Sequence, residues 1–286
     1  EYLKKLPINN AYLQSININQ IMNSSNNILG IEYLKALKKE GSSITPITIR
    51  RKSNIYKTAQ LTGDISSATA IRNHIEKGAY EKSFSSERFV SIEDNLKRTI
   101  PLKNVEIMGN EFNNGRGPVF FNCFENIILA TIRKMQPEDI RAFPNISEGL
   151  ENRIKNAANK STTLGQLVEN ICTRRYTRTR VQRILLYLLL NIVSSEAQAF
   201  NNYGGPQYIR VLGLNEKGAY LLSIINKNAS LPVIIKTAEF TDTCNVLLNR
   251  MLEIEALSTD IYVLGYENPD FRRARQDFTN NPIICK

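Results

Sequence analysis

The most apolar stretch of the chain, ILLYLLLNIV over residues 184–193, limits the folds that the remaining sequence can adopt. A helix that spans a bilayer needs about 20 apolar residues, and this run has about half that number. We therefore predict a core helix. Its pattern extends over residues 178–200, RTRVQRILLYLLLNIVSSEAQAF, and because the middle is apolar on all sides we expect it to lie at the centre of the core.

Five arginines stand at the entrance to this helix, with no acidic residue among them. Guanidinium groups this dense repel one another unless an anion neutralises them, so the segment predicts contact with a phosphate backbone. Tyr176, between them, could stack on an unpaired base. A solvated basic helix end is the alternative. The five are Arg174, Arg175, Arg178, Arg180 and Arg183.

The charge of the whole chain favours a polyanionic partner. Lys and Arg number 37 against 27 Asp and Glu, which gives a formal net charge of +10 over 286 residues. A weaker cluster, Arg272, Arg273 and Arg275, either extends the arginine-rich surface or balances Asp270 and Asp277. A basic protein without a nucleic-acid partner is the alternative.

Helix and strand patterns alternate along the chain and predict an α/β protein of about two domains. Residues 26–40 have amphipathic helical spacing that Gly41 ends, residues 43–51 alternate as a strand does, and residues 63–78 return to helix. This order is typical of the last part of an α/β nucleotide-binding domain. We assign the end of that domain to residues 1–80, a linker or irregular region to 81–118, a helical region with the arginine cluster, expected to bind RNA, to 119–203, and a small α/β domain to 204–286.

The sequence pattern also predicts a helix N-cap in the third region and a βαβ unit in the fourth. The helix SEGLENRIKNAANK is predicted to have Ser147 as its N-cap, with acidic residues in its first turn. Short apolar runs at 208–215 and 231–236 flank the helix-like EKGAYLLSIINK, which predicts a right-handed βαβ unit with a parallel strand pair. A final helix within 244–266 closes this unit.

The stretch GDISSATAIR places three hydroxyls and one arginine at the start of a helix. Free N–H groups at a helix N-terminus, neighbouring hydroxyls and a guanidinium together form an anion cradle suited to phosphates. The candidates are Ser66, Ser67, Thr69 and Arg72. The alternative is a doubly capped helix with Arg72 in a surface ion pair.

The sequence offers little for metal or nucleophile chemistry. Cys123, Cys172, Cys244 and Cys285 lie far apart, so we expect free thiols in a reducing, cytoplasmic compartment and no metal site. The single histidine, His74, is predicted to lie at the surface. The phosphate loop GxxxxGK[ST], the GxGxxG motif and a DxD carboxylate pair are all missing from the sequence.

Several long motifs, in order, resemble the tRNA(Met) cytidine acetate ligases. They are NNILGIEYLKAL, ISSATAIR, EGLENRIKNAA, RRYTRTRVQRILLYLLLNI and RVLGLNEKG followed by LPVIIK, spread from about residue 26 to residue 236. The SSATAIR element also resembles the ISSTxIR phosphate-binding signature of the wider nucleotidyltransferase superfamily. Residues 79–118 match poorly.

This resemblance implies a Rossmann-like nucleotidyltransferase fold and a specific reaction. Members of the family use ATP, with Mg²⁺ expected beside it, and acetate to form acetyl-adenylate, then acetylate the wobble cytidine of elongator tRNA(Met). The nucleotide contacts of the family map onto Asn26 and Arg51, with Asn27 and Arg50 as alternatives if the register shifts by one. An amide can bind an adenine or ribose edge, and a guanidinium can bind phosphate. An N-cap role for Asn26 and an exposed strand-end charge for Arg51 are the alternatives.

One motif of the family is missing, because its HxGH histidines do not occur in this sequence. We therefore expect a fragment or a trimmed N-terminus, and expect that these 286 residues alone do not exchange pyrophosphate into ATP in the presence of acetate. No apolar signal-peptide region opens the chain. Two rival hypotheses are a catalytically silent RNA-binding protein that kept the scaffold, and a nucleotidyltransferase with another substrate.

Overall fold

A computed structural model describes residues 25–49, 61, 65–81, 90–147, 149–240 and 244–285. The chain divides into two compact units, Glu1–Ser53 and Asn54–Lys286, each of which is described by itself. The predicted α/β class is confirmed, since the described residues contain many helices and four short strands that pair in parallel.

The first unit contains the predicted amphipathic helix, α1 (Ser25–Lys39). Gly41 ends it with φ of 59°, in the left-handed region where glycine has no steric cost. The N–H of Gly41 donates to the carbonyl of Lys38 (3.4 Å) and that of Ser42 to the carbonyl of Leu37 (3.0 Å). These two bonds form a Schellman motif, so the predicted stop at Gly41 is confirmed.

The predicted strand over 43–51 is wrong for residues 43–49, which form neither helix nor strand. Residues 50 and 51 lie outside the described residues. A strand needs a neighbour to bond its backbone, and in the described part of this unit there is none. Ile44, Ile47 and Ile49 are consequently exposed, the last at 93%.

The second unit contains the remaining elements. Its helices are α2 (Ala68–Glu81), α3 (Val90–Lys97), α4 (Leu102–Asn113), α5 (Glu125–Lys134), α6 (Pro137–Arg141), α7 (Leu150–Lys160), α8 (Leu164–Ile171), α9 (Arg178–Leu189), α10 (Ser194–Asn202), α11 (Glu216–Asn228), α12 (Val246–Tyr262) and α13 (Gln276–Thr279). Its strands are β1 (Ile209–Arg210), β2 (Gly213–Leu214), β3 (Val233–Ile234) and β4 (Ile283–Ile284). Short 3₁₀ turns lie at Phe121–Phe124, Thr237–Phe240, Val263–Gly265 and Pro269–Phe271.

Helices α2, α3 and α4 pack around a small hydrophobic cluster centred on Leu96 and Val105. Ile71 and Ile75 of α2 pack against these two side chains. The prediction of a linker or irregular region over 81–118 is therefore wrong for α3 and α4. Their apolar residues point into a shared cluster from short helices of eight and 12 residues, too short to show a sustained period.

The largest core lies among α5, α7, α8 and α9. Its best-buried side chains are 1% exposed or less, and each contributes roughly 1.5–3 kcal/mol by leaving water. They include Ile128, Ile132, Ile154, Leu167, Ile184 and Leu185. The predicted core helix is thus confirmed, although Leu186 on its outer side remains 40% exposed.

Basic side chains cap α5 and α7 reciprocally at their C-termini. The Nζ of Lys155, on α7, donates to the carbonyls of Arg133 (2.7 Å) and Met135 (2.6 Å). Arg133, on α5, donates to the carbonyls of Ala158 (3.1 Å) and Ser161 (2.8 Å). Each cation satisfies unpaired carbonyls at the negative end of a helix dipole, so the two helices are fixed to each other.

The predicted continuous helix over 178–200 is wrong, because α9 and α10 are separated by a bend of 99°. Asn191 has φ of 52°, and the N–H groups of Asn191 and Ile192 donate to the carbonyls of Leu188 (3.3 Å) and Tyr187 (3.0 Å). This Schellman motif ends α9, with asparagine in the place usually taken by glycine. Glu196 then accepts a backbone N–H at the start of α10.

No single helix in the described ranges is long and apolar enough to cross a membrane. The bent pair α9 and α10 meets the criteria of length and composition only when both helices are taken together.

The predicted strand–helix–strand unit is confirmed. Strands β1 and β3 pair in parallel, with Ile209 opposite Val233, and α11 connects them. The single strand predicted over 208–215 is instead two short strands, because β2 pairs with β4 in a second parallel pair. A Cβ on Gly213 would lie 3.0 Å from the carbonyl oxygen of Ile283, so the missing side chain allows this second pairing.

A network of charged side chains joins β1 to the last helices. Arg210 is 18% exposed and lies 2.8 Å from Glu255 of α12 and 2.9 Å from Asp277 of α13. The Tyr208 hydroxyl donates to Glu255, and burial together with that carboxylate raises the pKa of Tyr208 above its ordinary value. Strand β1 is therefore held to α12 and α13 by ion pairs and a hydrogen bond between partly buried side chains.

Candidate nucleic-acid interface and phosphate site

The turn between α8 and α9, residues 172–177, is fixed by its own backbone. The hydroxyl of Thr173 accepts the N–H groups of Arg175 (3.2 Å) and Tyr176 (3.1 Å). The Thr173 N–H donates to the Tyr176 carbonyl at 3.1 Å. From α7, Arg153 donates to the carbonyls of Ile171 (3.0 Å) and Cys172 (3.4 Å), so the turn begins at a firmly held point.

Tyr176 points into the core and does not lie at the surface. It is 8% exposed, and its hydroxyl lies 2.5 Å from the hydroxyl of Ser147. The prediction that Tyr176 stacks on an unpaired base is therefore wrong, because the ring has no free face for a base. The prediction of Ser147 as the N-cap of α7 is also wrong, because α7 begins at Leu150 and its N-cap is Gly149, with φ of 86°.

Two of the five arginines lie against the Tyr176 ring. The guanidinium carbon of Arg180 is 5.0 Å from the ring centroid and that of Arg175 is 5.6 Å away, both within cation–π range. Arg180 also donates from Nη2 to the carbonyl of Asn145 at 2.9 Å. Asn145 has φ of 65°, which asparagine tolerates better than most residues.

The other three arginines, Arg174, Arg178 and Arg183, are exposed. The described residues provide none of them with an ion-pair partner. Arg178 is the first residue of α9, whose first turn contains no acidic side chain to offset the dipole. All the charged side chains of this segment are therefore positive, which suits a polyanion.

At the start of α2 the structure brings together the four residues of the predicted cradle. Ser67 is buried, and its hydroxyl accepts the N–H of Ala70 at 3.0 Å, so it is the N-cap. Ser66 is half-buried and has an interaction of its own. Thr69 and Arg72 are exposed, and the described residues give Arg72 no ion pair. Capping and phosphate binding are compatible here, since one cap leaves other N–H groups of the first turn open.

The remaining predicted nucleotide contacts fall elsewhere. Asn26 is the second residue of α1 in the first unit and is exposed, with Asn27 beside it. Arg51 and its alternative Arg50 lie outside the described residues. The nucleotide site as a whole therefore stays a prediction.

Other sequence candidates have structural roles. Asp277 pairs with Arg210, so it does not balance the weaker basic cluster. Arg272 donates to the carbonyl of Tyr266 at 2.8 Å, and Arg275 lies 4.1 Å from the Phe278 ring. His74 is half-buried, with a buried Nε2 atom, so its predicted surface position is only partly right. All four cysteines are free thiols, and the described residues contain no group of acidic, histidine or cysteine side chains that could hold a metal ion.

Sequence patterns missed the partners that support the arginine-rich turn. Asn145, Ser147 and Arg153 are far from it along the chain and have no shared motif with it. The asparagine of FPNIS was the one available signal, since asparagine is common where φ is positive.

The family described as HIGH Nucleotidyl Transferase matches residues 4–277. The chain belongs to this family. The predicted resemblance is also confirmed: the chain is 51% identical over 270 residues to a tRNA(Met) cytidine acetate ligase of Acetivibrio thermocellus, covering 94% of this chain and 63% of that ligase.

Solved structures agree with the fold. Thermotoga maritima TmcAL in its apo form I has a TM-score of 0.81 at 28% identity, covering 92% of this chain and 61% of that chain. The form II structure of the same protein, bound with alpha-thio ATP, has a TM-score of 0.78. This member of the HIGH nucleotidyl transferase family therefore spans somewhat under two thirds of the length of these relatives.

Proposed function

We propose that this chain acts in a tRNA-modifying ligase that activates acetate with ATP and acetylates the wobble cytidine of elongator tRNA(Met), producing N4-acetylcytidine. The observation that supports it most directly is the 51% identity across 94% of the chain to a tRNA(Met) cytidine acetate ligase. The matched range covers both predicted anion-binding segments. The free thiols favour the cytoplasm as the location.

In the proposed reaction, the first residues of α2 hold the phosphates of ATP. The N–H groups of the first turn, the hydroxyls of Ser66 and Thr69, and the guanidinium of Arg72 are the donors, while Ser67 keeps the turn in shape. Asn26 and Arg51 are further nucleotide contacts that the family resemblance implies, and Mg²⁺ would offset charge on the triphosphate. The Thermotoga maritima protein, which has a similar fold, was solved with alpha-thio ATP bound, and this supports ATP as the nucleotide.

The tRNA backbone is proposed to lie on the exposed arginines of the turn and of α9. Arg174, Arg178 and Arg183 are exposed and lack ion pairs with the described residues, so binding phosphates does not require breaking protein contacts. Each phosphate neutralised releases counterions, which makes the affinity fall with salt.

The test compares two triple variants of equal charge. Gln substitutions at Arg174, Arg178 and Arg183 should weaken binding of tRNA(Met) by at least tenfold and lower the slope of log affinity against log salt by about 2, at roughly 0.7–0.9 for each phosphate contact. Gln substitutions at the exposed Lys103, Lys217 and Lys227 remove the same charge elsewhere and should change the slope little. Equal losses in both variants would exclude the arginine-rich surface as the tRNA site.

A further inference from the structure

Arg180 differs from the other arginines of its segment in what surrounds it. It is half-buried, its guanidinium lies over the Tyr176 ring at 5.0 Å, and Nη2 donates to the carbonyl of Asn145. Its Nε atom is fully buried. Arg180 is therefore directed toward the protein, and a phosphate would have to displace existing contacts to reach it.

The contacts of Arg180 join two segments that are distant in sequence. Residues 143–147 lie before α7, and residues 173–177 lie before α9. The Tyr176–Ser147 hydroxyl pair connects these segments directly, and Arg180, in the first turn of α9, connects them through its bond to Asn145 and its contact with the Tyr176 ring. Because Tyr176 is buried among core side chains, the connection fixes the turn relative to the core. Without it, the turn would depend on its internal bonds and on Arg153.

We propose that Arg180 is a positioning residue of the tRNA surface and not one of its phosphate ligands. Together with Tyr176 it holds residues 143–147 against the turn, so that Arg174, Arg178 and Arg183 meet the RNA backbone as a preorganised set. A preorganised set loses less conformational entropy on binding, because its side chains and backbone are already ordered. The inference rests on the proposed tRNA binding and revises the prediction that all five arginines contact RNA.

The first test uses variants that keep the net charge. Tyr176→Phe removes only the hydroxyl bonded to Ser147, and Arg180→Lys keeps the charge but loses the planar fork that spans ring and carbonyl. Each should weaken tRNA binding three- to tenfold with an unchanged salt slope, since no phosphate contact is lost. Arg178→Lys is the matched comparison and should lose less affinity than Arg180→Lys, because an ammonium still neutralises a phosphate.

A second measurement tests the positioning role of Arg180 in the absence of RNA. Hydrogen exchange of residues 143–147 and 173–177 should be faster in Tyr176→Phe and Arg180→Lys than in the wild-type chain, while α5 and α8 stay protected. Wild-type-like affinity and exchange in both variants would overturn this inference alone. Loss of salt slope by about 0.7–0.9 in Arg180→Gln, with unchanged exchange, would make Arg180 a phosphate ligand and also overturn it. A wild-type chain that binds no tRNA would instead contradict the proposed function.

Discussion

Individual side chains at the start of α2 have separable tasks. Ser67 is buried and bonded to the Ala70 N–H, whereas Thr69 is exposed two positions later. The composition of SSATAIR predicted a helix start with three hydroxyls, but it could not distinguish the one that caps from those that face solvent. The residue that caps is the one with a non-helical backbone. Three closely spaced hydroxyls, at Ser66, Ser67 and Thr69, do not reveal from the sequence which of them that is.

Replacing Ser67 tests its capping role. Ser67→Ala should lower the free energy of unfolding by about 1 kcal/mol, because a first-turn N–H loses its acceptor. Thr69→Ala, at an exposed position of the same turn, is the control and should change stability by less than about 0.5 kcal/mol. Urea denaturation measures both. Equal effects would show that Ser67 is not the cap.

Glu151 gives a prediction that depends on pH. Its carboxylate accepts a hydrogen bond from Arg141 at 2.7 Å, and this bond, with backbone N–H groups, lowers the pKa of Glu151 below its ordinary 4.5. The folded state therefore holds this proton less tightly than the unfolded state. Its stabilising contribution is complete above pH 4.5 and is lost as the pH falls through the lowered pKa.

Glu151→Gln should consequently be less stable than wild type at pH 7, and the difference in unfolding free energy should shrink as the pH falls below 4.5. Denaturant titrations at several pH values measure this difference. Glu169→Gln, an exposed carboxylate on α8, is the matched control and should have a small effect throughout. A Glu151→Gln difference that stays constant from neutral to acidic pH would contradict the assignment.

At the scale of elements, helices were predicted well where the apolar period was sustained over several turns. The patterns for α1, α9 and α12 predicted helices that the structure contains. The bend after α9 was missed because ILLYLLLNIVSSEAQAF stays apolar across it. Asn191 was a local signal for the end of one helix, and the serines that follow were signals for the start of the next. The prediction gave more weight to the apolar run.

Asn191 tests how this bend is held. With φ of 52°, Asn191→Gly should keep or raise stability because glycine has no Cβ, while Asn191→Ala should lower it by about 1 kcal/mol because alanine keeps the Cβ but lacks the amide that helps asparagine adopt the left-handed region. The urea midpoints of the two variants measure the order. Alanine as stable as glycine at this position would mean that α9 does not end in this conformation.

The reciprocal caps of α5 and α7 provide the second test at this scale. Lys155→Met keeps a long apolar stem but removes the ammonium that bonds the last carbonyls of α5, so stability should fall by about 1–2 kcal/mol. Lys217→Met, an exposed lysine of α11, is the control and should have little effect. Similar unfolding midpoints for the two variants would contradict the capping role of Lys155.

At the scale of the whole molecule, the sequence predicted the types and order of the elements better than the contacts between them. The α/β class, the basic surface and the parallel βαβ unit follow from composition and periodicity. The pairing of residues 143–147 with the turn before α9 could not be predicted, because it depends on contacts between segments about 30 residues apart. The same limit explains Tyr176, whose burial is set by the core and not by the arginines beside it.

Two domain-scale expectations stay predictions. The boundaries at residues 80, 118 and 203 were drawn from composition, and the nucleotide contacts Asn26 and Arg51 await direct observation of a bound nucleotide. The nucleotide contacts concern the proposed adenylation step, while the arginine-rich surface concerns the proposed recognition of tRNA.

The central claim, that the gene product acetylates the wobble cytidine of tRNA(Met), is tested most directly by mass spectrometry of that tRNA purified from cells lacking the gene. N4-acetylcytidine should be absent, should return with the wild-type gene, and should not return fully with Gln at Arg174, Arg178 and Arg183. Persistence of the acetyl group at the wobble position in cells without the gene would contradict the account.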